Sequence, residues 1–130
     1  MKFLVLIHLD ESAWDALTPA EHEAVLAQHA AFEREAAGLG VAILSTEPLR
    51  RARTATVLRR RGDVVTLTEG PFVETVEQLG GYYLVDAADL DAVTEACRLL
   101  PELAIEIRPV ESRLENRTVE NRRVESRAGR

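Results

Sequence analysis

The run Phe3-Leu4-Val5-Leu6-Ile7 is apolar at every position. A strand built from it puts Phe3, Val5 and Ile7 on one face and Leu4 and Leu6 on the other, because side chains alternate along a strand. Tyr82-Tyr83-Leu84-Val85 repeats the pattern late in the chain. An antiparallel sheet with one face in water alternates apolar and polar residues instead. Both faces of this sheet therefore need covering, and that requirement limits the architectures open to the chain.

The helices available for the task are few. Thr18-Pro19-Ala20-Glu21 is a helix start: threonine caps, proline suits the first helical position and Glu21 completes a capping box. That helix runs to Gly38 or Gly40, either of which can end it. A second helix, capped by Asp86 or Asp89, ends near Leu100-Pro101. Strands are predicted over 2–9, 41–45, 79–85 and 103–110. A hairpin of 54–58 and 64–68 turns at Arg61-Gly62-Asp63. The order β-α-β-(hairpin)-β-α-β makes an α+β domain over residues 1–110 with both helices on one face. A second copy of the same sheet is the economical cover for the other, giving a homodimer through the sheet face.

Composition narrows the function classes. The formal net charge is −6. Residues 1–110 carry 10 Lys and Arg against 18 Asp and Glu, while the last 20 carry 6 Arg against 4 Glu. An acidic body argues against a broad nucleic-acid surface. No apolar stretch approaches the roughly 20 residues that span a bilayer, and the amino-terminal run is too short for a signal sequence. Cys97 is the single cysteine, so no internal disulfide forms, which fits a cytoplasmic location. It sits in an apolar helical stretch, where a buried, inert thiol is the ordinary outcome. Residues 111–130 repeat Val/Leu-Glu-Ser/Asn-Arg at irregular spacing and read as a disordered or loosely helical tail.

The three histidines carry most of the candidate chemistry. His22, Val25, His29, Phe32 and Ala36 form one helical stripe, so His29 points toward the core side. It is either a packed histidine or an acid/base group at the sheet–helix edge. His8 ends the first strand, partly solvated or facing a cleft between subunits. His22 is nearer the helix start and expected in solvent. Seven residues separate His22 and His29, about 10.5 Å along a helix, too far for one metal ion; neither a metal nor a cofactor is expected. Glu69-Gly70-Pro71-Phe72-Val73-Glu74-Thr75 is a rigid turn that holds Glu69 and Glu74 either in solvent or at a cleft mouth. Glu106 and Arg108 alternate with Ile105 and Ile107 and form either an exposed ion pair or a polar ligand contact. Arg50, Arg51 and Arg53, with Arg59 to Arg61, form a basic patch without interleaved aromatics, read as solvated.

The run 68–75, Thr-Glu-Gly-Pro-Phe-Val-Glu-Thr, followed by Glu77-Gln78-Leu79-Gly80-Gly81-Tyr82-Tyr83-Leu84-Val85, resembles the signature of the DGPF branch of YCII-related proteins. The opening strand followed by Asp-Glu, the Asp89-Leu90-Asp91 helix start and the closing Ile105-Glu106-Ile107-Arg108-Pro109-Val110 are also similar. The family's first motif residue is aspartate, where this chain has Glu69. The resemblance covers about residues 1–110 and implies a ferredoxin-like fold of the dimeric α/β-barrel type. Proteins of the wider fold include lactone isomerases and a dehydrochlorinase, for which a histidine–carboxylate pair has been proposed. His29 stands where YCII-type relatives often carry their histidine. Two functions stand ahead of a third, a nucleic-acid binder using the arginine tail. One is a cofactor-free enzyme doing isomerase- or lyase-type proton transfer on a small organic molecule, with His29 or His8 as base, Glu69 as partner, and Phe72, Glu74, Tyr82 and Arg108 binding substrate. The other is a non-catalytic ligand-binding or regulatory dimer linked to extracytoplasmic-function sigma factors.

Overall fold

The computed structural model describes residues 1–111. The arginine-rich tail, apart from Glu111, lies outside the described residues.

Strand β1 (Lys2–Asp10) runs straight into a five-residue helix, α1 (Glu11–Asp15). Asp10 starts that helix by accepting the backbone N–H groups of Ser12 and Ala13 at 2.9 and 3.2 Å. Nothing in the apolar periodicity pointed to α1. Helix α2 (Pro19–Glu35) begins on the expected capping box. Thr18 Oγ1 accepts from the Glu21 backbone at 3.2 Å, and Glu21 Oε1 accepts from the Thr18 backbone at 3.1 Å. The α-helix stops earlier than its glycines suggest. It tightens into a 3-10 turn over Ala36–Leu39, and Gly40, at φ +80°, ends it in the left-handed region.

Then follow β2 (Val41–Pro48), a 3-10 turn over Ala52–Thr54, and the strands β3 (Thr56–Arg61) and β4 (Val64–Glu69). Last come β5 (Glu77–Ala87), helix α3 (Leu90–Cys97), which Asp89 caps, and β6 (Ala104–Pro109). The four-stranded sheet has the order β2-β5-β1-β6 with antiparallel neighbours throughout. With two helices on one face, this is the ferredoxin-like β-α-β-β-α-β arrangement, and the β3–β4 hairpin is a separate two-stranded insertion.

The core lies between sheet and helices. Phe3, Val5 and Ile7 of β1 meet Tyr83 and Val85 of β5, with Phe32 of α2 and Val93 of α3 above them, all buried. Leu4, Leu6, Tyr82 and Leu84 take the opposite face and are only half-buried. The two-sided apolarity of the strands is thus present in the fold, with the helices covering one side.

Two bulges set which side chains face the helices. In β2, Ile43 pairs with Val85 but Ser45 pairs with Leu84, so Leu44 is the extra residue. In β5, Ile7 pairs with Gly81 but His8 pairs with Leu79, so Gly80 is the extra residue. A Cβ on Gly80 would stand 2.2 Å from Leu9 Cδ2, so glycine lets Leu9 pack across the bulge. Beyond the bulge, Gln78 shares the face of Leu9 and Leu79 that of His8.

Candidate functional site

At the carboxyl end of β1 the sheet and helices part around a cavity of about 410 Å³. Its walls are mainly apolar, with Ile7, Leu9, Trp14, Val25, Leu26 and Leu49 among them. His29 and Glu33 reach it from α2, Thr46 from β2 and Tyr83 from β5. Trp14 is positioned by His22: the rings stack at 4.2 Å, and His22 Nε2 donates to the Trp14 carbonyl oxygen at 2.7 Å. His22 is therefore half-buried, correcting the expectation that it sits in solvent. It ties α1 to α2 and holds Trp14, which lines the cavity.

The polar groups of the cavity are joined in series. Tyr83 Oη donates to Glu33 Oε1 at 3.1 Å, and His29 Nδ1 lies 2.9 Å from the same Oη. The Phe32 ring meets the Tyr83 ring edge-on at 4.8 Å and fixes its plane. A phenol has one proton. With that proton on the Glu33 carboxylate, its oxygen accepts from His29, which places the imidazole hydrogen on Nδ1. Burial lowers the pKa of His29, opposed in part by the negative charge of Glu33. Burial, with the Glu33 hydrogen bond and charge, raises that of Tyr83, while Thr46 acts the other way. Both groups are thereby held neutral near pH 7. A neutral imidazole with Nδ1–H has its lone pair on Nε2, the requirement for a base.

Of the other candidates, Tyr82 also borders this cavity, and the rest lie elsewhere. His8 is on the open sheet face, where its Nε2 donates to Glu106 Oε1 at 3.2 Å. Arg108 Nε donates to Glu106 Oε2 at 2.5 Å. These two bonds, Arg108 foremost, lower the pKa of the Glu106 carboxyl. His8 also borders a second cavity, of about 560 Å³, together with Pro71 and Phe72. Phe72 is 74% exposed, and the Arg59 guanidinium lies over its ring at 5.2 Å. Tyr82 projects to the open face and shares a hydrogen bond with Ser45 at 3.2 Å. Glu69 is exposed at the end of β4, paired across the hairpin with Thr56. Glu74 is exposed in the loop that follows. Neither carboxylate lines either cavity.

The loop's motif residues have a structural task that accounts for their spacing. Gly70 takes φ +99° and donates its N–H to the Ala55 carbonyl at 2.8 Å. Gln78 Nε2 donates to the carbonyls of Val73 and Thr75 at 3.2 and 2.9 Å. The segment Glu69–Gln78 is thus a stapled loop joining the hairpin to β5.

Sequence reasoning missed Glu33, Tyr83 and Trp14. Glu33 follows His29 by four residues, so the two share a helix face. Tyr83 precedes Val85 by two and shares its buried face. Those spacings were the available signal. Among the described residues no group of three His, Cys, Asp or Glu is placed to hold a metal ion. No described helix is long and apolar enough to cross a membrane.

Comparison with known proteins adds family membership. The YCII-related domain matches residues 1–112. An uncharacterized protein of Rhizobium meliloti (strain 1021) is 31% identical over 115 residues, covering 85% of this chain and 92% of that protein. The resemblance read from the Glu69–Val85 segment is borne out, and the chain belongs to the YCII-related family.

Proposed function

We propose that the helix-side cavity is the active site of a cofactor-free enzyme that moves a proton on a small organic molecule, with His29 as general base. The observation that carries this reading is the Glu33–Tyr83–His29 series on a largely apolar cavity; a neutral ring that donates from Nδ1 to Tyr83 keeps its lone pair on Nε2. Nε2 takes a proton from a carbon acid, and the imidazolium formed keeps its Nδ1–H on Tyr83. The charge of Glu33, one hydrogen bond further on, stabilises that cation, as a carboxylate behind a histidine does in hydrolytic triads. Returning the proton to a neighbouring carbon is an isomerisation; delivering it to a leaving group completes an elimination. Glu33, reached through Tyr83, takes the place first assigned to Glu69.

The half-buried Leu4, Leu6, Tyr82 and Leu84 support a homodimer in which the open sheet faces of two copies meet. Tyr82, His8 and Arg108 then belong to that interface. The free thiol of Cys97 is compatible with the cytoplasm.

The test is hydrogen exchange. The protein is incubated in deuterium oxide with a panel of small lactones, ketones and carboxylic acids, and loss of carbon-bound proton signals is followed by NMR. Exchange of at least one compound, slowed about 10²–10⁴-fold in His29→Gln, is expected. Exchange that persists undiminished in His29→Gln excludes His29 as the base. A panel member bound in the cavity without any exchange favours the non-catalytic, ligand-binding alternative.

A further inference from the structure

The charged groups around the same cavity are unequal, and the difference points to a ligand class. Five charged residues border it: Glu11, Glu33, Glu47, Arg50 and Arg51. Four of them are already engaged or directed elsewhere. Arg51 donates to Asp15 through both terminal nitrogens, with Nη1 to Oδ2 at 2.8 Å. Glu11 Oε1 accepts the backbone N–H of Ala52 at 3.2 Å. Glu33 accepts from Tyr83. Glu47 pairs in register with Tyr82, beside Leu6 on the open face, so its side chain leaves the sheet on the far side from the helices. Arg50 is the fifth, and among the described residues it makes no ion pair.

We propose that this cavity takes a small carboxylic acid with an apolar body, its carboxylate held at the mouth by Arg50. The proposal rests on the cavity being the functional site and adds the chemistry of what enters it. Three observations support a monoanion. Of the two cations that line the cavity, Arg51 is paired with Asp15 and Arg50 makes no ion pair among the described residues, and the Arg50 fork matches a carboxylate's two oxygens. Trp14, Leu26 and Leu49 line the same cavity with apolar surface, and Leu26 is 60% exposed. Glu33 lines the same cavity as an anion beside His29 and Tyr83, which disfavours a ligand carboxylate there and leaves the rim beside Arg50 for it. A dianionic phosphate finds a poorer match, because its second charge needs Arg51, which Asp15 holds. The ligand's carboxylate would sit at the rim and its body would extend toward His29.

The test is a binding titration by NMR on the full chain, using acids from phenylacetate to 4-phenylbutyrate, the corresponding neutral amides, and inorganic phosphate. The expected result is an acid bound about ten-fold more tightly than its amide, with shifts in the His29 ring and Trp14 indole signals. Arg50→Gln should bring acid and amide to equal affinity while leaving the amide's own affinity unchanged. Arg50 is exposed and unpaired among the described residues, so the variant should fold. Equal affinities in the unmodified protein overturn the proposal, as do a preference surviving Arg50→Gln, tighter binding of phosphate than of any acid, or no binding by any acid. An acid that shifts His8 and Phe72 instead of His29 also overturns it, because Arg50 borders the second cavity too. Binding is read without turnover. His29→Gln, which abolishes the exchange expected of the base, should leave the acid preference in place, so failure of either claim shows separately.

Discussion

His29 and Tyr83, 54 residues apart in sequence, meet across the helix–sheet boundary with Nδ1 and Oη 2.9 Å apart. The contact exists because α2 lays its His29–Phe32–Ala36 stripe on the face of β5 that carries Tyr83, Val85 and Ala87. It converts two neutral side chains into a directed pair, with Glu33 fixing the direction.

Tyr83→Phe tests that direction. The ring can still pack against Phe32, so only the hydroxyl and its two hydrogen bonds are lost. A stability loss of about 0.5–1.5 kcal/mol is expected from denaturant unfolding. Proton exchange on a responsive compound should fall further than that loss can explain, because the imidazole is then free to place its hydrogen on Nε2. Unchanged exchange in a folded Tyr83→Phe protein would remove Tyr83 from the mechanism.

The lowered pKa of His29 has a sign that unfolding experiments can check. The folded value lies below the ordinary 6.5, so between the two the unfolded chain binds more protons. The contribution of His29 to stability is present above pH 6.5 and is lost as the pH falls through the folded value. His29→Gln should flatten the pH dependence of unfolding across that window. A steeper dependence in the variant would contradict the burial argument.

Gly70 is a third point of test. Its φ of +99° lies where residues with a Cβ are strained. Gly70→Ala should therefore cost roughly 1–2 kcal/mol. The strain falls on the stapled loop and the hairpin, so the His29 ring signals should not move. Displaced His29 signals would show that the loop and the cavity are coupled.

Cys97 is packed among core residues, and burial pushes its thiol up to about 11. Reaction with a thiol reagent should be slow in the native protein and fast in denaturant. Rapid native labelling would mean that α3 opens readily from the sheet.

The sequence was most readable where one local signal decides. Thr18-Pro19-Ala20-Glu21 started α2, and unbroken apolar runs marked β1 and β5, whereas the start of α3 lay between Asp86 and Asp89 until the structure gave Asp89. Strand faces were harder, since period-two counting assumes no extra residue, and Leu44 and Gly80 each add one. Those bulges are visible only once partners are paired. The proposed site was legible only in part. His29 stood out as a histidine on a core-facing stripe, but its carboxylate was sought in the Glu69 loop, where the composition is unusual. Glu33 looked like any exposed helix glutamate, and its role appears only when β5 brings Tyr83 beside it. The distinctive residues Gly70, Gln78 and Gly80 turn out to shape a loop and a bulge, because special backbone geometry constrains sequence as strongly as chemistry does.

The claim on which the function depends is the protonation pattern of one ring, and nitrogen-15 NMR of the histidine side chains reads it directly. At pH 7 His29 is predicted to be neutral, with its hydrogen on Nδ1 and an unprotonated Nε2. An Nε2–H tautomer, or an imidazolium, at that pH would contradict the account, because Nε2 would then have no lone pair to take a proton.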